Sequence, residues 1–301
     1  MTLKQLRYLV AVADARHFGR AAAACHISQP SLSAQIQQLE SIVGGALFER
    51  TKRRVLPTLL GEAMAERARR VLAEIDRMAA LSGSGTPLSG PFRLGVIPTL
   101  GPYLLPRILP GLRRAYPDLK LYLREDLTGR LVDLLRRGAL EAALMALPAG
   151  DPGLSERPLF DEPFLLAAPE GHRLAEKNRI GQDDLAGEIL LLLEDGHCFR
   201  DQALAACGQH GNPAADAFAA TSLATLREMV AGGVGLTLLP ALAANDRQDG
   251  VRLRHFDDPA PSRRIGLVCR KDCARAEEIA LLGDHVAESL PEGVVAAAGV
   301  S

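Results

Sequence analysis

The sequence predicts an α/β protein in two parts: a small, basic, mostly helical head and a larger body in which strands alternate with helices. Three observations carry this. The chain has 301 residues, 48% apolar and 24% charged, enough to build two or three cores and too apolar for a disordered chain. From Pro91 onward, short apolar runs ("FRLGVIP", "LKLYLRE", "AALMAL", "FLLAAPE", "EILLLLE", "GLTLLP", "RIGLVCR") alternate with helical stretches such as "LPRILPGLRRAY", "LTGRLVDLLRRG" and "SLATLREMVAGG". The net charge is only -1, yet residues 1 to 80 hold 12 Lys and Arg against 7 Asp and Glu, and the remainder holds 23 against 29. A basic head on an acidic body points to a nucleic-acid partner for the head alone.

Within the head, Leu3, Leu6, Leu9, Val10, Val12 and Ala13 form one helical stripe, and Phe18 with Ala21 to Ala24 a second, compact one. The third helix carries the most information. Ser28 caps it, Pro30 lies in its first turn, and Leu32, Ile36 and Leu39 recur at helical spacing. Its other face holds Gln29, Ser31, Ser33, Gln35 and Gln38, short uncharged groups suited to base edges and phosphates in a major groove. A small-residue helix, a tight turn and a polar-faced helix make a helix-turn-helix pattern. The following "ERTKRRVLPT" places Arg50, Lys52, Arg53 and Arg54 in an expected β-hairpin wing, where they can neutralise phosphates.

A long helical pattern runs from Thr58, its expected N-cap, to about Leu81. Leu60, Met64, Ala68, Val71, Leu72, Ile75 and Met78 lie along one side. One exposed helix cannot bury such a stripe alone, so pairing with a second subunit is expected; packing on the chain's own body is the alternative. "SGSGTPLSG", 82 to 90, reads as a flexible hinge.

In the body, strand-helix alternation predicts parallel sheets covered by helices, with ligands at strand carboxyl ends. Two cysteines need an explanation there. In "LEDGHCFRDQALAAC", Cys198 follows the strand "ILLLLE" and opens a helix that Asp195 or Gly196 would cap. A thiol at a helix N-terminus is favoured as thiolate, the form that attacks peroxide; His197 and Arg200 would help, and Glu194, Asp195 and Asp201 oppose. If 198 to 207 is one helix, nine rises separate its ends by roughly 13 to 14 Å. A disulfide needs Cα atoms within about 7 Å, so a Cys198–Cys207 bond requires rearrangement, as in a redox switch. Two buried thiols acting as small hydrophobes is the plainer alternative.

"AAAACHISQPSLSAQIQQLESIVGGALFERTKRRVLPTLLGEAM" resembles the winged helix-turn-helix of the LysR-type transcriptional regulators, with "PTLLG" in place of the family's usual "TPAG"-like opening of the linker helix. Body segments "GVIPTLGPYLLP", "PLFDEPFLLA", "LAGEILLLLEDG" and "ATSLATLREMVAGGVGLTLLPALA" resemble the peroxide-sensing members of that family, to about residue 270.

The resemblance implies a winged helix-turn-helix over 1–57, a linker and dimerisation helix with its hinge over 58–90, and a periplasmic-binding-protein-like regulatory domain over 91–301. The regulatory domain would have two subdomains, I about 91–162 and 267–301, II about 163–266. A solute-binding protein of that fold would carry a signal peptide and no basic head. The resemblance makes Cys198 the peroxidatic and Cys207 the resolving cysteine, and it places Thr99, Thr128, His197, Asp201 and Arg263 or Arg264 around hydrogen peroxide. The two threonine hydroxyls would bond peroxide oxygens and the arginine would stabilise the leaving hydroxide. Expected partners are double-stranded DNA, RNA polymerase and further copies of the chain in a dimer of dimers, controlling oxidative-stress defence genes.

No cofactor or metal is expected. No run approaches the 18 to 20 apolar residues of a membrane helix, and the start lacks the apolar core of a signal peptide, so the expected location is the cytoplasm, where thiols stay reduced. Cys25 reads as core. Cys269 and Cys273, a C-x3-C with His255 and His285 too isolated to complete a metal site, read as incidental thiols. Two other functions compete: a LysR-type regulator answering a small effector in the body cleft, and a thiol peroxidase, in which the head would have no role.

Overall fold

The computed structural model describes residues 1–50, 55–80, 87–206, 219–244, 250–291 and 294–296. The chain divides into a head ending at Thr86 and a body beginning at Pro87.

Three helices build the head: α1 (Leu3–Ala15), α2 (Phe18–Ala24) and α3 (Gln29–Val43). Thr2 and Gln5 close a capping box on α1, each side chain bonded to the other's backbone N–H. Ser28 caps α3 as the sequence predicts, its Oγ accepting from the Ser31 N–H at 3.3 Å, and Gly44 ends the helix at φ 78°. Leu6, Leu9, Val12, Phe18, Ala21, Leu32, Ile36 and Leu39 fill the core. Strands β1 (Phe48–Arg50) and β2 (Val55–Pro57) pair antiparallel, confirming the hairpin.

Next comes α4 (Leu59–Ala80), capped by Thr58, whose Oγ1 accepts from the Gly61 N–H at 3.0 Å. A Cβ on Gly61 would overlap the Leu47 carbonyl oxygen, which is why glycine stands there. Met64, Ala68 and Leu72, three of the seven residues of the expected stripe, pack with Ala65 into the head's own core. Leu59, Val71 and Met78 stay exposed.

The body contains β3 (Gly90–Val96), α5 (Gly101–Ala115), β4 (Leu119–Glu125), α6 (Thr128–Arg136), β5 (Ala142–Leu147), β6 (Leu154–Pro169), β7 (Arg179–Ile180), β8 (Leu192–Leu193), α7 (Cys198–Ala206), β9 (Ala219–Ala220), α8 (Leu223–Ala231), β10 (Thr237–Pro240), β11 (Val251–Phe256), β12 (Ser262–Arg270), α9 (Ala276–Glu288) and β13 (Val295–Ala296).

One sheet runs β4-β3-β5-β12-β6; its first three strands are parallel, and β12 is antiparallel to both neighbours. β6 is the long strand that joins the two halves. Its residues up to Pro163 pair with β12, and from Phe164 on they pair with β10 and β11, both antiparallel. The expectation of purely parallel sheets is therefore corrected: the shared strand and the return strand cross between the halves and run against their neighbours. The return pairing begins at Ser262. A second core gathers Phe164, Leu166, Leu191, Phe199, Leu226 and Leu238.

Candidate thiol site

Three segments from different parts of the chain converge. The turn after β3 brings Thr99, the start of α6 brings Thr128, and the start of α7 brings His197 and Cys198. Together with Ile97, Pro98 and Leu127 these four line one cleft. As it stands the cleft leaves no room for even a water-sized group, against the roughly 300 Å³ at which sites for larger organic ligands begin. A roomier depression lies elsewhere, against Leu165, Arg252, Arg254 and His255; it borders Ala244, the last residue before 245–249, which are outside the described residues.

Each side chain has a local cause. Cys198 is the first residue of α7, half-buried; the residue before the helix is His197, so neither Asp195 nor Gly196 occupies the capping position expected of it. Gly196 instead supplies a φ of 93°, which turns the chain from strand to helix. Thr99 is buried, and its Oγ1 accepts from Arg263 Nη1 at 2.7 Å while its carbonyl accepts from Nη2 at 3.1 Å. Because Thr99 Oγ1 is the acceptor in that bond, its proton is left to donate into the cleft. Thr128 Oγ1 is buried with no hydrogen-bond partner among the described residues, and burying such a hydroxyl costs about 1–3 kcal/mol unless something pairs with it.

His197 is buried, and burial lowers its pKa below the usual histidine range, with the Glu194 charge opposing. The lowered pKa favours the uncharged imidazole, which weakens any cationic help to the Cys198 thiolate. Arg200 donates to the Leu193 carbonyl at 3.1 Å and pairs with Asp195 at 3.1 Å, so its charge is matched by an exposed carboxylate. Asp201 is exposed on α7, outside the cleft.

The adjacent arginines part as strand alternation requires. Arg263 points inward with its side chain fully buried; Arg264 is exposed and paired with Asp161 at 2.8 Å, which takes it out of the site. Glu162, which sequence reasoning missed, stands directly across from Arg263 in the β12–β6 register. The two carboxylate oxygens of Glu162, also fully buried, accept from Arg263 Nε at 2.8 Å and from the Leu242 N–H at 2.9 Å. The Arg263 guanidinium also lies 5.5 Å from the Phe199 ring centre, and Phe199 meets Phe164 edge-on at 5.2 Å. Three of the five Arg263 N–H donors go to Glu162 and Thr99, so the guanidinium reaches the cleft through Thr99. The signal in the sequence was the carboxylate inside "PLFDEPFLLA", an acidic residue in an apolar strand.

In the head, Ser28, Gln29, Pro30 and Ser31 are exposed along the start of α3, with Ser33 and Gln35 half-buried behind them. Ser28 is used as the cap. Gln38 accepts from the buried Gln5 at 3.0 Å, which ties α3 to α1. Arg50 ends β1. Lys52, Arg53, Arg54 and Cys207 lie outside the described residues.

Fold and sequence place the chain in a known class. Residues 3–62 match the bacterial regulatory helix-turn-helix model of the lysR family, and 85–291 match the LysR substrate binding domain. The chain belongs to the LysR family of bacterial transcriptional regulators. Within that family it is 48% identical to the DNA-binding transcriptional dual regulator OxyR of Escherichia coli K12 over 90% of both chains, and 46% identical over 96% of both to the hydrogen peroxide-inducible genes activator of Dickeya chrysanthemi. Among solved structures it matches full-length OxyR from Pseudomonas aeruginosa, in a cysteine-substituted form, with TM-score 0.81 and 39% identity over 95% of this chain and 94% of that one.

Proposed function

We propose that this chain is a peroxide-activated transcriptional regulator, switched by oxidation of Cys198 and a disulfide between Cys198 and Cys207. The observation that carries the reading is the convergence on Cys198 of two threonine hydroxyls and a neutral histidine in a cleft too small for a metabolite. The buried, unpartnered Thr128 hydroxyl is met once the residues around Cys198 part to admit a peroxide oxygen. The Cys198 thiolate attacks one oxygen, the O–O bond breaks, and Cys198 becomes a sulfenic acid as hydroxide leaves. Thr99, held by Arg263, donates to that departing oxygen; a proton from solvent makes it water. The Cys207 thiol then displaces the sulfenic oxygen as a second water.

Geometry supports a conformational switch. Eight rises along α7 set Ala206 roughly 12 Å from Cys198. One further Cα step of 3.8 Å cannot bring the next residue within the 7 Å or so that a disulfide needs. The bond therefore forms only if α7 unwinds, and oxidation traps a body the reduced chain does not hold.

The rest of the plan accompanies this reading: α3 and the wing read double-stranded DNA as a winged helix-turn-helix over 1–57, α4 and the hinge of 58–90 pair two copies through the exposed Leu60, Val71 and Met78, and the two-subdomain body of 91–301 completes a homotetramer. RNA polymerase is the partner on activated promoters, oxidative-stress defence genes are the targets, and the cytoplasm is the location. The test is a brief, near-stoichiometric peroxide pulse followed by thiol blocking, peptide mass spectrometry and DNA footprinting. A Cys198–Cys207 link that Cys198→Ser abolishes, with a footprint that changes in parallel, is the expected result; two alkylated thiols and an unchanged footprint refute it.

A further inference from the structure

Two thiols outside this switch lie against each other. Cys269 is near the end of β12, only 9% exposed, held in register between Ala142 of β5 and Ser155 of β6. The chain then turns tightly, the Cys273 N–H donating to the Arg270 carbonyl at 3.1 Å, and returns a half-buried Cys273 to the same corner ahead of α9. The two thiols hydrogen-bond one another, and neither is in a disulfide. That contact and burial push the Cys269 thiol up, so it keeps its proton and offers it to the Cys273 sulfur. Among the described residues no trio of His, Cys, Asp or Glu could hold a metal ion.

The pair differs from Cys198 and Cys207 in a way that decides its chemistry. No helix separates the sulfurs, and the turn already holds them together, so closing the bond costs little rearrangement. Cys273 is the more accessible thiol, half-buried where Cys269 is buried. We propose that Cys269 and Cys273 form a second redox couple, oxidised by small-molecule disulfides. The Cys273 thiolate, its proton lost to solvent, attacks one sulfur of the small disulfide; that S–S bond breaks and one small thiolate leaves, taking a proton. Cys269 then loses its proton and attacks Cys273 Sγ, and the second small thiol departs. Two protein thiols are oxidised by two electrons while one small disulfide is reduced to two thiols. The bridge pins the corner between β12 and α9, giving the body an input from thiol balance.

The test uses the full-length Cys198→Ser protein, so that the peroxide-reactive thiol is absent. It is equilibrated with oxidised glutathione in excess over reduced, blocked with an alkylating agent and digested. The expected result is a pair of peptides linked through Cys269 and Cys273, both thiols disappearing together along the titration and returning with reductant. Phenylarsine oxide, which bridges close dithiols, is expected to shield both from alkylation in this protein and to leave Cys269 unshielded after Cys273→Ala, a half-buried position whose change spares the core. A glutathione adduct on Cys273 without the bridge, or two thiols still alkylated at the largest excess, overturns the proposal. Neither outcome bears on the Cys198 switch.

Discussion

Removing the charge of Glu162 tests how the cleft is built. Both members of the Glu162–Arg263 pair have fully buried side chains, and the 2.8 Å contact is supplemented by the Leu242 N–H on the other carboxylate oxygen. Glu162→Gln keeps the shape but leaves a guanidinium buried without a counter-charge, which costs about 3–5 kcal/mol. For a domain of this size each kcal/mol lowers the melting temperature by roughly 2–4 °C. The body's thermal transition should therefore fall by roughly 6 to 20 °C on those figures. Replacing both partners, as Glu162→Leu with Arg263→Met, removes the uncompensated charge and should restore most of the loss, since apolar substitutes for a whole buried pair are often neutral. Calorimetry of wild type, Glu162→Gln and the double substitution decides it. Glu162→Gln should also slow Cys198 oxidation, because Arg263 would no longer hold Thr99 in place. A Glu162→Gln melt within about 2 °C of wild type, less than one kcal/mol on the same scale, would refute the reasoning.

Thr99→Val should slow Cys198 oxidation by peroxide on the order of 100-fold, the usual loss of one donor to a developing oxyanion; Thr128→Val should slow it about 10-fold while leaving the melt unchanged or higher, because the hydroxyl it removes is buried without a protein partner. Stopped-flow oxidation paired with thermal melts separates the two effects. Gly61→Ala forces a methyl against the Leu47 carbonyl and should destabilise the head by about 1–3 kcal/mol, read as a lower head melt and weaker DNA binding at unchanged peroxide reactivity. His197, with its pKa lowered by burial, binds protons more readily in the unfolded chain, so its contribution to stability is fully present above about pH 6.5 and is lost as pH falls from there through the lowered folded value; in urea titrations His197→Asn should flatten that slope relative to wild type, and identical slopes would refute it.

The head was legible because its signals are local. A Ser28 cap, Pro30 and three apolar residues at helical spacing specify α3 without help from distant residues. Body strands such as β3, β4 and β5 were legible as apolar runs for the same reason. What escaped depends on partners far away in sequence. β6 reads as the short run "FLLAAPE", yet it is 16 residues long, because its polar first half gains ladder partners from β12, about a hundred residues on. β11, "VRLRHF", has too many arginines to look like a strand and exists because β6 and β7 flank it. Arg263 could not be chosen over Arg264 from sequence, since alternation says that the two diverge but not which one turns in. Glu162 was invisible for the same reason: its role is set by a residue 101 positions away.

The anchoring of α7 sets how easily the proposed switch resets. Unwinding α7 to join Cys198 to Cys207 pulls at Phe199, which is 2% exposed and packed edge-on against Phe164 beneath the Arg263 guanidinium. Burial of such a side chain is worth about 1.5–3 kcal/mol, and the aromatic pair adds about 0.5–1.5. That energy belongs to the reduced form alone, so it opposes the disulfide and makes it easier to reduce. Phe199→Leu keeps an apolar group there but gives up the ring pair and part of the contact area, about 1.5–3 kcal/mol of the reduced state's advantage. At about 30 mV for each 1.4 kcal/mol, the midpoint for the Cys198–Cys207 couple should move roughly 30–60 mV more negative. Titration in defined thiol–disulfide buffers, read by alkylation of Cys207, measures it directly, while the cleft residues that govern the rate of oxidation are untouched. A midpoint that stays in place would mean that Phe199 remains buried in both redox forms and that the segment rearranges beyond it, toward Cys207; a positive shift would contradict the assignment of α7 to the reduced form.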